Sequence, residues 1–264
     1  MEHRERARRF FVLPELDACA APRRSADGRP AFAVGQEVPL PQAEAHHAAH
    51  VLRRRAGDLV ELFDGDGGRA LARLKLVRRG EVVATVEEVR PRLARPVPIL
   101  RLGVAVPKGN RLDWLLEKST ELGVASLAPL ALERSVSGGD ALSAAKRRRW
   151  TARCIAAAKQ SGADFLPAIE DPLSLQDFLA GAIGGIGLYG DLSASAVPVA
   201  AALRDRAGQA GAYYIVVGPE GGLTDAERQA LDGAGFGAVR LGRTILRVET
   251  AAVALVSAVL ALQE

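Results

Sequence analysis

The sequence predicts an α/β protein in which a small antiparallel β-barrel or sheet precedes a larger domain built on a parallel sheet. Short runs of alternating polar and apolar residues, separated by turn signals, fill residues 59–89. From residue 99 onward, strand-like apolar runs alternate with segments of helical spacing, which favours a parallel sheet covered on both faces. Between them, RPRLARPVP (residues 90–98) is typical of a linker because of its prolines. We therefore expect two domains, residues 1–90 and 91–264.

In the first domain, the strand-like runs end at turn signals. DGDGG and RRG follow two of them, and glycine and aspartate there favour tight turns. A helix-like segment precedes the strands. The predicted elements are a helix-like segment at residues 42–53 and strands at 59–65, 69–77 and 81–89.

In the second domain, helix signals separate the strand-like runs. A segment of helical spacing ends at Gly123, a residue suited to terminating a helix. Thr224 and Glu227 have the spacing of a capping box at the start of another helix. The predicted strands lie at residues 99–107, 125–132, 167–170, 183–189, 212–217 and 238–241, and the predicted helices at 111–123, 141–161, 172–180, 196–207, 224–234 and 247–262.

The composition is that of an ordinary globular protein, with 48% hydrophobic and 25% charged residues in a chain of 264. Its two cysteines are too few for a disulfide framework or a zinc site, which favours a reducing compartment. The charged start lacks the apolar core of a signal peptide, and the longest apolar run, residues 251–262, is too short to span a bilayer. We expect a cytoplasmic protein with no membrane span and no bound metal.

The basic excess is concentrated in the first third of the chain. Residues 1–95 hold 18 of the 35 Lys and Arg residues but 14 of the 31 Asp and Glu residues. The planar guanidinium of arginine bonds two phosphate oxygens at once, so this region could bind nucleic acid. A solvated, mildly basic surface is the alternative.

The stretch VVGPEGGLTDAE (residues 216–227) places three glycines and a proline at the end of a buried strand. Neither the dinucleotide fingerprint nor the phosphate loop of nucleotide hydrolases has this spacing. Two interpretations are open. The glycines could turn the chain into the capped helix that follows, or they could let main-chain groups approach a ligand.

Two further strand ends repeat this pattern. LGRTILRVETAA (residues 241–252) and GLYGD (residues 187–191) also place glycine where a predicted strand ends. Ligands of parallel sheets bind beyond the carboxyl ends of the strands. Three such loops favour a flat base held in an apolar slot by main-chain groups.

These motifs resemble those of the SPOUT methyltransferases. GPEGGLTDAE followed by LGRTILRVETAA carries the resemblance, together with RFF (9–11), HHAAHVLRRRAGDLVELFDGDGG (46–68), PKGNRLDWLLEKSTELGV (107–124) and ERS (133–135). Within that superfamily the chain is similar to the enzymes that methylate uridine N3 in 16S rRNA. The resemblance implies a trefoil-knotted α/β methyltransferase domain after a PUA-like β-barrel, a homodimer, S-adenosylmethionine as cofactor, and 16S rRNA or the small ribosomal subunit as partner.

The resemblance also implies roles for individual residues. Arg247 is the candidate catalytic residue, because a cation beside the uracil would stabilise the anion formed when N3 loses its proton. It is also counted among the cofactor contacts. The implied cofactor residues are Leu188, Tyr189, Gly190, Val217, Gly218, Pro219, Glu220, Gly221, Gly222, Leu241, Gly242, Ile245, Leu246 and Arg247. The implied RNA-binding residues are Arg9, Phe10, His47, Arg53, Lys108, Lys118 and Arg134.

One stretch departs from the family pattern. Ala163, Asp164 and Phe165 stand where relatives usually carry Arg-Asn-Arg, which puts an RNA contact at that edge in question. Three alternatives are open. Arg247 could pair with Glu249 or Glu220 and have a purely structural role, the enzyme could be a SPOUT ribose 2′-O-methyltransferase, or the protein could bind RNA without catalysis.

Overall fold

The computed structural model describes residues 7–12, 32–135, 141–204 and 211–262. Its contacts divide the chain into two compact units, the first of residues 1–95 with 158–166 and the second of residues 96–157 with 167–264. The sequence predicts two domains that meet between residues 90 and 91. These contact units do not test that boundary, so it remains a prediction. The contacts place residues 158–166 with the first unit, which no local pattern could indicate because this grouping depends on residues far apart in the sequence.

The first unit contains one five-stranded sheet. Its strands are β1 (Arg8–Phe11), β2 (Glu37–Pro39), β3 (Leu59–Phe63), β4 (Arg69–Arg78) and β5 (Glu81–Arg90). They lie in the order β1-β3-β4-β5-β2. The pairs β3–β4, β4–β5 and β2–β5 are antiparallel, as predicted. The expectation of a wholly antiparallel sheet is wrong at one edge, because β1 lies parallel to β3.

The helix-like segment predicted at residues 42–53 is helical but irregular. Helix α1 (Gln42–His46) passes into a π-helical turn (His47–Val51). There the Leu52 amide donates to the His47 carbonyl, 2.9 Å away, which is the five-residue spacing of a π-helix. The segment ends before Arg53, whose φ of +50° lies in the left-handed region. The spacing of apolar residues in the sequence could not by itself distinguish this widened π-helical turn from an α-helix.

The second unit alternates strands and helices. Its strands are β6 (Ile99–Val104), β7 (Ser126–Ala131), β8 (Ala168–Ile169), β9 (Leu173–Ser174), β10 (Ile186–Gly190), β11 (Val197–Pro198), β12 (Ala212–Val217) and β13 (Gly237–Arg240). Its helices are α2 (Asn110–Glu121), α3 (Ala144–Ser161), α4 (Leu175–Ala180), α5 (Val199–Arg204), α6 (Asp225–Gly233) and α7 (Val248–Ala261). Helix α3 ends within the segment that the contacts group with the first unit.

The predicted parallel sheet is confirmed for this unit. Its order is β11-β13-β10-β12-β6-β7-β8, with β9 pairing β7, and every described pair is parallel. Two short strands, β9 and β11, were expected to be the beginnings of helices. Helix α4 starts at Leu175 because the Ser174 hydroxyl accepts the Asp177 amide hydrogen bond (3.0 Å), which caps the helix. Of the predicted helix at residues 196–207, residues 205–207 lie outside the described part.

The order of the strands positions the three glycine-bearing loops. Strands β13, β10 and β12 are neighbours in the sheet. Since parallel strands end at the same edge, the loops that follow Gly190, Val217 and Arg240 meet there. Helix α7 packs against β12 and α2, with Leu255, Val256 and Val259 in the core.

Cys154, on α3, is expected to be unreactive in the folded protein. Burial raises the pKa of its thiol to about 11, against a weaker opposing effect of the Thr120 hydrogen bond. Only the thiolate is nucleophilic, so alkylation by iodoacetamide at pH 9 should be about fifty-fold slower than in the unfolded chain. Mass spectrometry of the peptide that carries Cys154, with and without urea, measures both rates. Equal rates would show that the thiol is open to solvent.

Candidate active site

A cavity of about 310 Å³ lies in the second unit where the three loops meet. Its walls combine main-chain groups of the glycine-bearing loops with apolar side chains such as Val248 and Leu255. This is the size and character of a site for a small organic ligand. Of the predicted cofactor residues, those that line the cavity are Gly190, Val217, Gly218, Pro219, Glu220, Gly221, Gly222, Leu241, Gly242, Ile245 and Leu246.

Two glycines of the GPEGG loop are required by its geometry. A Cβ at Gly218 would lie 2.9 Å from Cδ2 of the buried Leu223. Gly222 has a φ of +74°, a conformation that other residues adopt only at a cost, and its amide donates to the Pro219 carbonyl at 2.8 Å. The loop is therefore a tight turn that presents its backbone to the cavity.

The capping box predicted at the start of α6 is present. Thr224 accepts from the Glu227 amide at 3.3 Å, and the Glu227 carboxylate accepts from the Thr224 amide at 2.7 Å. The same carboxylate also accepts from the Glu133 amide, 2.9 Å away. The structural and the ligand-binding interpretations of this stretch are thus compatible, because the cap holds the loop while the loop's other face lines the cavity.

Arg134, a predicted RNA-binding residue, supports the GPEGG loop from outside the cavity. Its guanidinium donates to the Gly221 carbonyl at 2.7 Å. The side chain is exposed, so this contact leaves part of the guanidinium in solvent. Arg134 is therefore placed to hold the loop, and its predicted contact with RNA is untested.

Sequence reasoning missed the polar end of the cavity, formed by Asp191 and Arg228. Burial alone would raise the pKa of Asp191, but hydrogen bonds from the Leu192 amide and from Arg228 hold it below the usual value. Arg228 Nε lies 2.9 Å from the Asp191 carboxylate. The carboxylate is therefore ionised at neutral pH, and its oxygens already accept from the Leu192 and Ser193 amides and from Arg228. A signal was present in the sequence, since Asp191 directly follows a glycine at a strand end.

Leu188 and Tyr189, predicted as cofactor residues, do not line the cavity. Both side chains are buried inside the sheet, at 0% and 1% exposure. The Tyr189 hydroxyl donates to Asp232 at 2.8 Å, and burial together with that carboxylate raises the pKa of the phenol. The reason is positional, because these residues lie within β10 and the strand reaches the cavity only at Gly190.

Arg247 lies at the rim of the site rather than in its wall. It is the residue before α7, between Leu246 and Val248, which both line the cavity. Its side chain is exposed and, within the part of the chain that the structure describes, forms no ion pair and no capping hydrogen bond. Glu220 pairs with Arg111 at 2.9 Å instead, and Glu249 is buried. The alternative in which Arg247 pairs with either carboxylate is not what the structure shows.

Arg9 is buried in the first unit instead of facing solvent as an RNA contact would require. Its guanidinium pairs with Glu61 at 2.9 Å and with Asp164 at 2.5 Å, and it donates to the carbonyls of Ala158 and Ala163. Its side chain is 11% exposed. Arg9 therefore ties residues 158–166 to β1 and β3. Its predicted role in RNA binding is not favoured by this placement.

The same contacts include the residues at which the sequence departs from the expected family pattern. Asp164 accepts from Arg9 and lies 3.7 Å from Arg69, so the acidic residue has its own basic partners here. Phe165 forms an isolated bridge with Asp66, and the Arg95 guanidinium stacks 4.7 Å from the Phe165 ring. The replaced segment is packed into the first unit rather than displayed.

Removing Arg9 is expected to destabilise the first unit. Arg9→Ala removes the nearer cation from two partly buried carboxylates, which keep Arg90 at 3.1 Å from Glu61 and Arg69 at 3.7 Å from Asp164. The lost charged hydrogen bonds should lower the free energy of unfolding by about 2 kcal/mol. Urea denaturation followed by circular dichroism measures the loss. The neighbouring Arg8 is exposed, so Arg8→Ala is a matched control that should cost less than about 0.5 kcal/mol. Equal effects of the two changes would contradict a structural role for Arg9.

The other predicted RNA residues differ in how accessible their side chains are to an RNA molecule. Phe10 is fully buried in the core of the first unit and cannot stack on a base. Burial, then the charge of Lys159, lower the pKa of His47, which is therefore neutral at pH 7 and a poor phosphate contact. Lys118 is paired with Glu117 and Glu121 at 2.8 and 2.9 Å.

Two predicted RNA residues, one in each unit, are exposed cations that make no ion pair and no side-chain hydrogen bond among the described residues. Arg53 is exposed in the first unit, and Lys108 is exposed in the second. Neither has an ion-pair partner among the described residues. Lys108 also lines a second cavity, which shares Pro219 and Glu220 with the first.

Two searches of the described residues gave negative results. No described helix has the length and apolar character needed to cross a membrane. Over the same residues, no cluster of three or more His, Cys, Asp or Glu side chains has the arrangement of a metal site.

Family models match both units. The model of an RNA methyltransferase domain matches residues 95–260, and the model of an RNA methyltransferase PUA domain matches residues 40–87. The chain thus carries the two domains of an RNA methyltransferase with a PUA domain.

Relatives define the family more narrowly. Ribosomal RNA small subunit methyltransferase E of Bacillus subtilis is 34% identical over 230 residues, which cover 82% of this chain and 86% of the relative. The same enzyme of Mycobacterium tuberculosis is also 34% identical, covering 82% of this chain and 83% of the relative. The chain belongs to the ribosomal RNA small subunit methyltransferase E family.

Solved structures agree with this membership. The ribosomal RNA small subunit methyltransferase E of Neisseria gonorrhoeae, bound to S-adenosyl methionine, superposes with a TM-score of 0.79 at 31% identity, covering 97% of this chain and 98% of its own. A methyltransferase of Legionella pneumophila in complex with the same cofactor gives a TM-score of 0.81 at 28% identity, with the same coverage.

Proposed function

We propose that this protein methylates N3 of a uridine in 16S rRNA, using S-adenosylmethionine. The observation that carries the proposal is the cavity of about 310 Å³, walled by the backbone of three glycine-bearing loops at the carboxyl edge of a parallel sheet. Its family membership and the cofactor named for two solved relatives support the same assignment.

The residues of the cavity fit this cofactor. The apolar side chains of Val217, Leu241 and Leu246, with the bare backbone beside them, suit a purine ring, and the ionised carboxylate of Asp191 suits hydroxyl or ammonium donors. S-adenosylmethionine, when bound, supplies an electrophilic methyl group. We assign cofactor binding to the predicted residues that line this cavity, with Asp191 and Arg228 added.

The chain's own contribution to the reaction is positioning and electrostatics. A displacement at a methyl group needs the nucleophile in line with the leaving group, so the loops must fix the two reactants relative to each other. Uridine N3 must lose a proton, which leaves negative charge on the uracil. We propose that the free guanidinium of Arg247 stabilises that charge from the rim of the cavity.

Three further features belong to the same proposal. We propose the trefoil knot of the SPOUT superfamily for the second unit, which the return of β13 to the far side of β10 supports. A homodimer is proposed from the family resemblance, to be tested by light scattering after size exclusion. A cytoplasmic location is proposed because the RNA substrate and the two cysteines both fit a reducing interior.

The function is tested with purified protein and small ribosomal subunits from a strain that lacks this activity. Calorimetry should show binding of S-adenosylmethionine, and mass spectrometry of the digested RNA should show 3-methyluridine. Appearance of a 2′-O-methylated nucleoside instead would establish the ribose methyltransferase alternative. RNA binding without cofactor binding or methyl transfer would establish the non-enzymatic one.

Arg53 is proposed as an RNA contact of the first unit, because it is an exposed cation without an ion-pair partner among the residues described. Arg53→Ala should weaken binding to 16S rRNA and reduce the slope of log affinity against log salt by about 1. The affinity for S-adenosylmethionine should not change. Arg79→Ala removes the same charge from an exposed turn of the same unit and serves as the control. An unchanged slope for Arg53→Ala would make Arg53 a solvated residue.

A further inference from the structure

The second cavity, of about 210 Å³, lies beside the cofactor cavity and shares a wall with it. Pro219 and Glu220 of the GPEGG loop line both cavities. A molecule in the second cavity would therefore lie beside one in the first, next to this loop. Its volume is below the roughly 300 Å³ at which sites for drug-sized ligands begin, which favours a single small ring.

Strand pairing explains why the two cavities adjoin. Strands β6 and β12 are parallel neighbours, with Val104 paired to Val217, so they end at the same level. The Ala105 amide donates to the Val217 carbonyl at 3.0 Å and extends this pairing by one residue. The loop that leads from β6 into α2 thus runs beside the GPEGG loop.

Part of the lining of the second cavity is apolar. Ala105, Val106 and Pro219 form this part, without a charged group among them. Such a surface suits the face of a planar ring, which loses little by leaving water on that side.

The rest of the lining carries hydrogen-bond donors and the carboxylate of Glu220. Lys108 is exposed and has no ion-pair partner among the described residues, while Arg111 has a half-exposed guanidinium 2.9 Å from Glu220. The hydroxyl oxygen of Ser135 is buried and has no hydrogen-bond partner in the described part of the chain. A buried hydroxyl without a partner is costly in a folded protein, so a ligand that completes its hydrogen bond is favoured.

We propose that the second cavity binds the target uracil, with Lys108, Arg111 and the Ser135 hydroxyl directed at its two ring carbonyls. Uracil is a planar ring whose two carbonyl oxygens flank N3. Protein donors that bind both oxygens would therefore fix the orientation of N3. Cations beside these oxygens would also stabilise the charge left when N3 loses its proton. This inference rests on the proposed uridine methylation and assigns its substrate to a cavity that is distinct from the cofactor's.

The same donors predict discrimination between pyrimidines. Cytosine replaces one ring carbonyl by an amino group, which donates instead of accepting. This amino group would lie opposite Lys108 or Arg111, which are donors themselves. One of these two side chains would then have no acceptor. A site built to hydrogen-bond one pattern rejects the other, because its polar groups are then left unpaired.

The test measures nucleotide binding without catalysis. The full-length protein is saturated with S-adenosylhomocysteine, and uridine 5′-monophosphate or cytidine 5′-monophosphate is titrated and followed by saturation-transfer NMR. We expect uridine monophosphate to bind at least tenfold more tightly than cytidine monophosphate. Lys108→Ala and Ser135→Ala should each weaken uridine monophosphate at least fivefold while leaving the affinity for S-adenosylhomocysteine unchanged. Lys146→Ala, an exposed lysine on α3, is the matched control.

The outcomes separate this inference from the proposed function. If the wild-type protein methylates subunits but Lys108→Ala and Ser135→Ala bind uridine monophosphate as the wild type does, the second cavity is not the base site and the function stands. Equal binding of both nucleotides by the wild type would also overturn the inference. If the wild-type protein neither binds S-adenosylmethionine nor methylates RNA, the proposed function itself fails.

Discussion

Gly218→Val is expected to reduce the affinity for S-adenosylmethionine by about five- to a hundredfold. The added Cβ would lie 2.9 Å from Cδ2 of Leu223, a buried residue that itself lines the cofactor cavity. Either Leu223 or the backbone of the GPEGG loop must then move, and overpacking of this kind costs about 1–3 kcal/mol. Because about 1.4 kcal/mol corresponds to a factor of ten, distortion of the wall translates directly into lost affinity. Isothermal calorimetry measures it.

Gly233→Ala is the matched control for this substitution. Gly233 ends α6, and a Cβ there would meet no atom within 4 Å. The control should bind the cofactor like the wild type. Thermal unfolding of both variants separates a local change from global destabilisation. Wild-type affinity in Gly218→Val would show that the GPEGG loop does not form the cofactor site.

Arg247→Ala is expected to lower kcat by about a hundredfold to a thousandfold, the range found when one group that stabilises a developing anion is removed. The Arg247 side chain is free of ion pairs among the described residues and makes no capping bond to α7, so its loss should leave folding nearly unchanged. Arg247→Lys keeps the charge but not the planar guanidinium and should retain partial activity. Single-turnover methylation of small subunits at saturating cofactor measures the chemical step.

Binding of the cofactor, a ground-state property, provides the control for the Arg247 variants. Both variants should bind S-adenosylmethionine with wild-type affinity, since a contribution made in the transition state does not appear in cofactor binding. Their oligomeric state, measured by light scattering, should also match that of the wild type. Loss of cofactor affinity or of assembly in Arg247→Ala would make Arg247 a structural residue and remove it from catalysis.

The sequence predicted most of the second unit because its signals are local. Strand-like runs and helical spacing recur with glycine and capping residues at the boundaries, as at Thr224, and each such signal depends on a few neighbouring residues. Parallel pairing followed from the alternation of strands and helices, and every described pair in that sheet is parallel. The errors lie at short elements. The two-residue strands β9 and β11 carry too little pattern to be distinguished from the start of a helix.

The predicted cofactor residues that line the cavity lie in loops or at the last residue of a strand, whereas those further inside a strand do not line it. Gly190 is the last residue of β10 and the GPEGG loop follows β12, so both lie at strand ends, which the sequence locates well. Leu188 and Tyr189 are adjacent in sequence to the cavity but buried in the sheet. Whether a residue next to a loop faces the ligand depends on where the strand ends. A difference of one residue in that position changes the answer.

The sequence by itself determined the parallel sheet, the three glycine-bearing strand ends and the excess of positive charge in the first third of the chain. Only the tertiary structure decided that Arg9 is held by Glu61 and Asp164, that Arg228 fixes the Asp191 carboxylate, and that Lys108 lies in a second cavity. These facts depend on contacts between residues far apart in the chain. Whether an arginine is a free cation or a buried partner is set by the charges that the fold brings to it, and no local pattern encodes them.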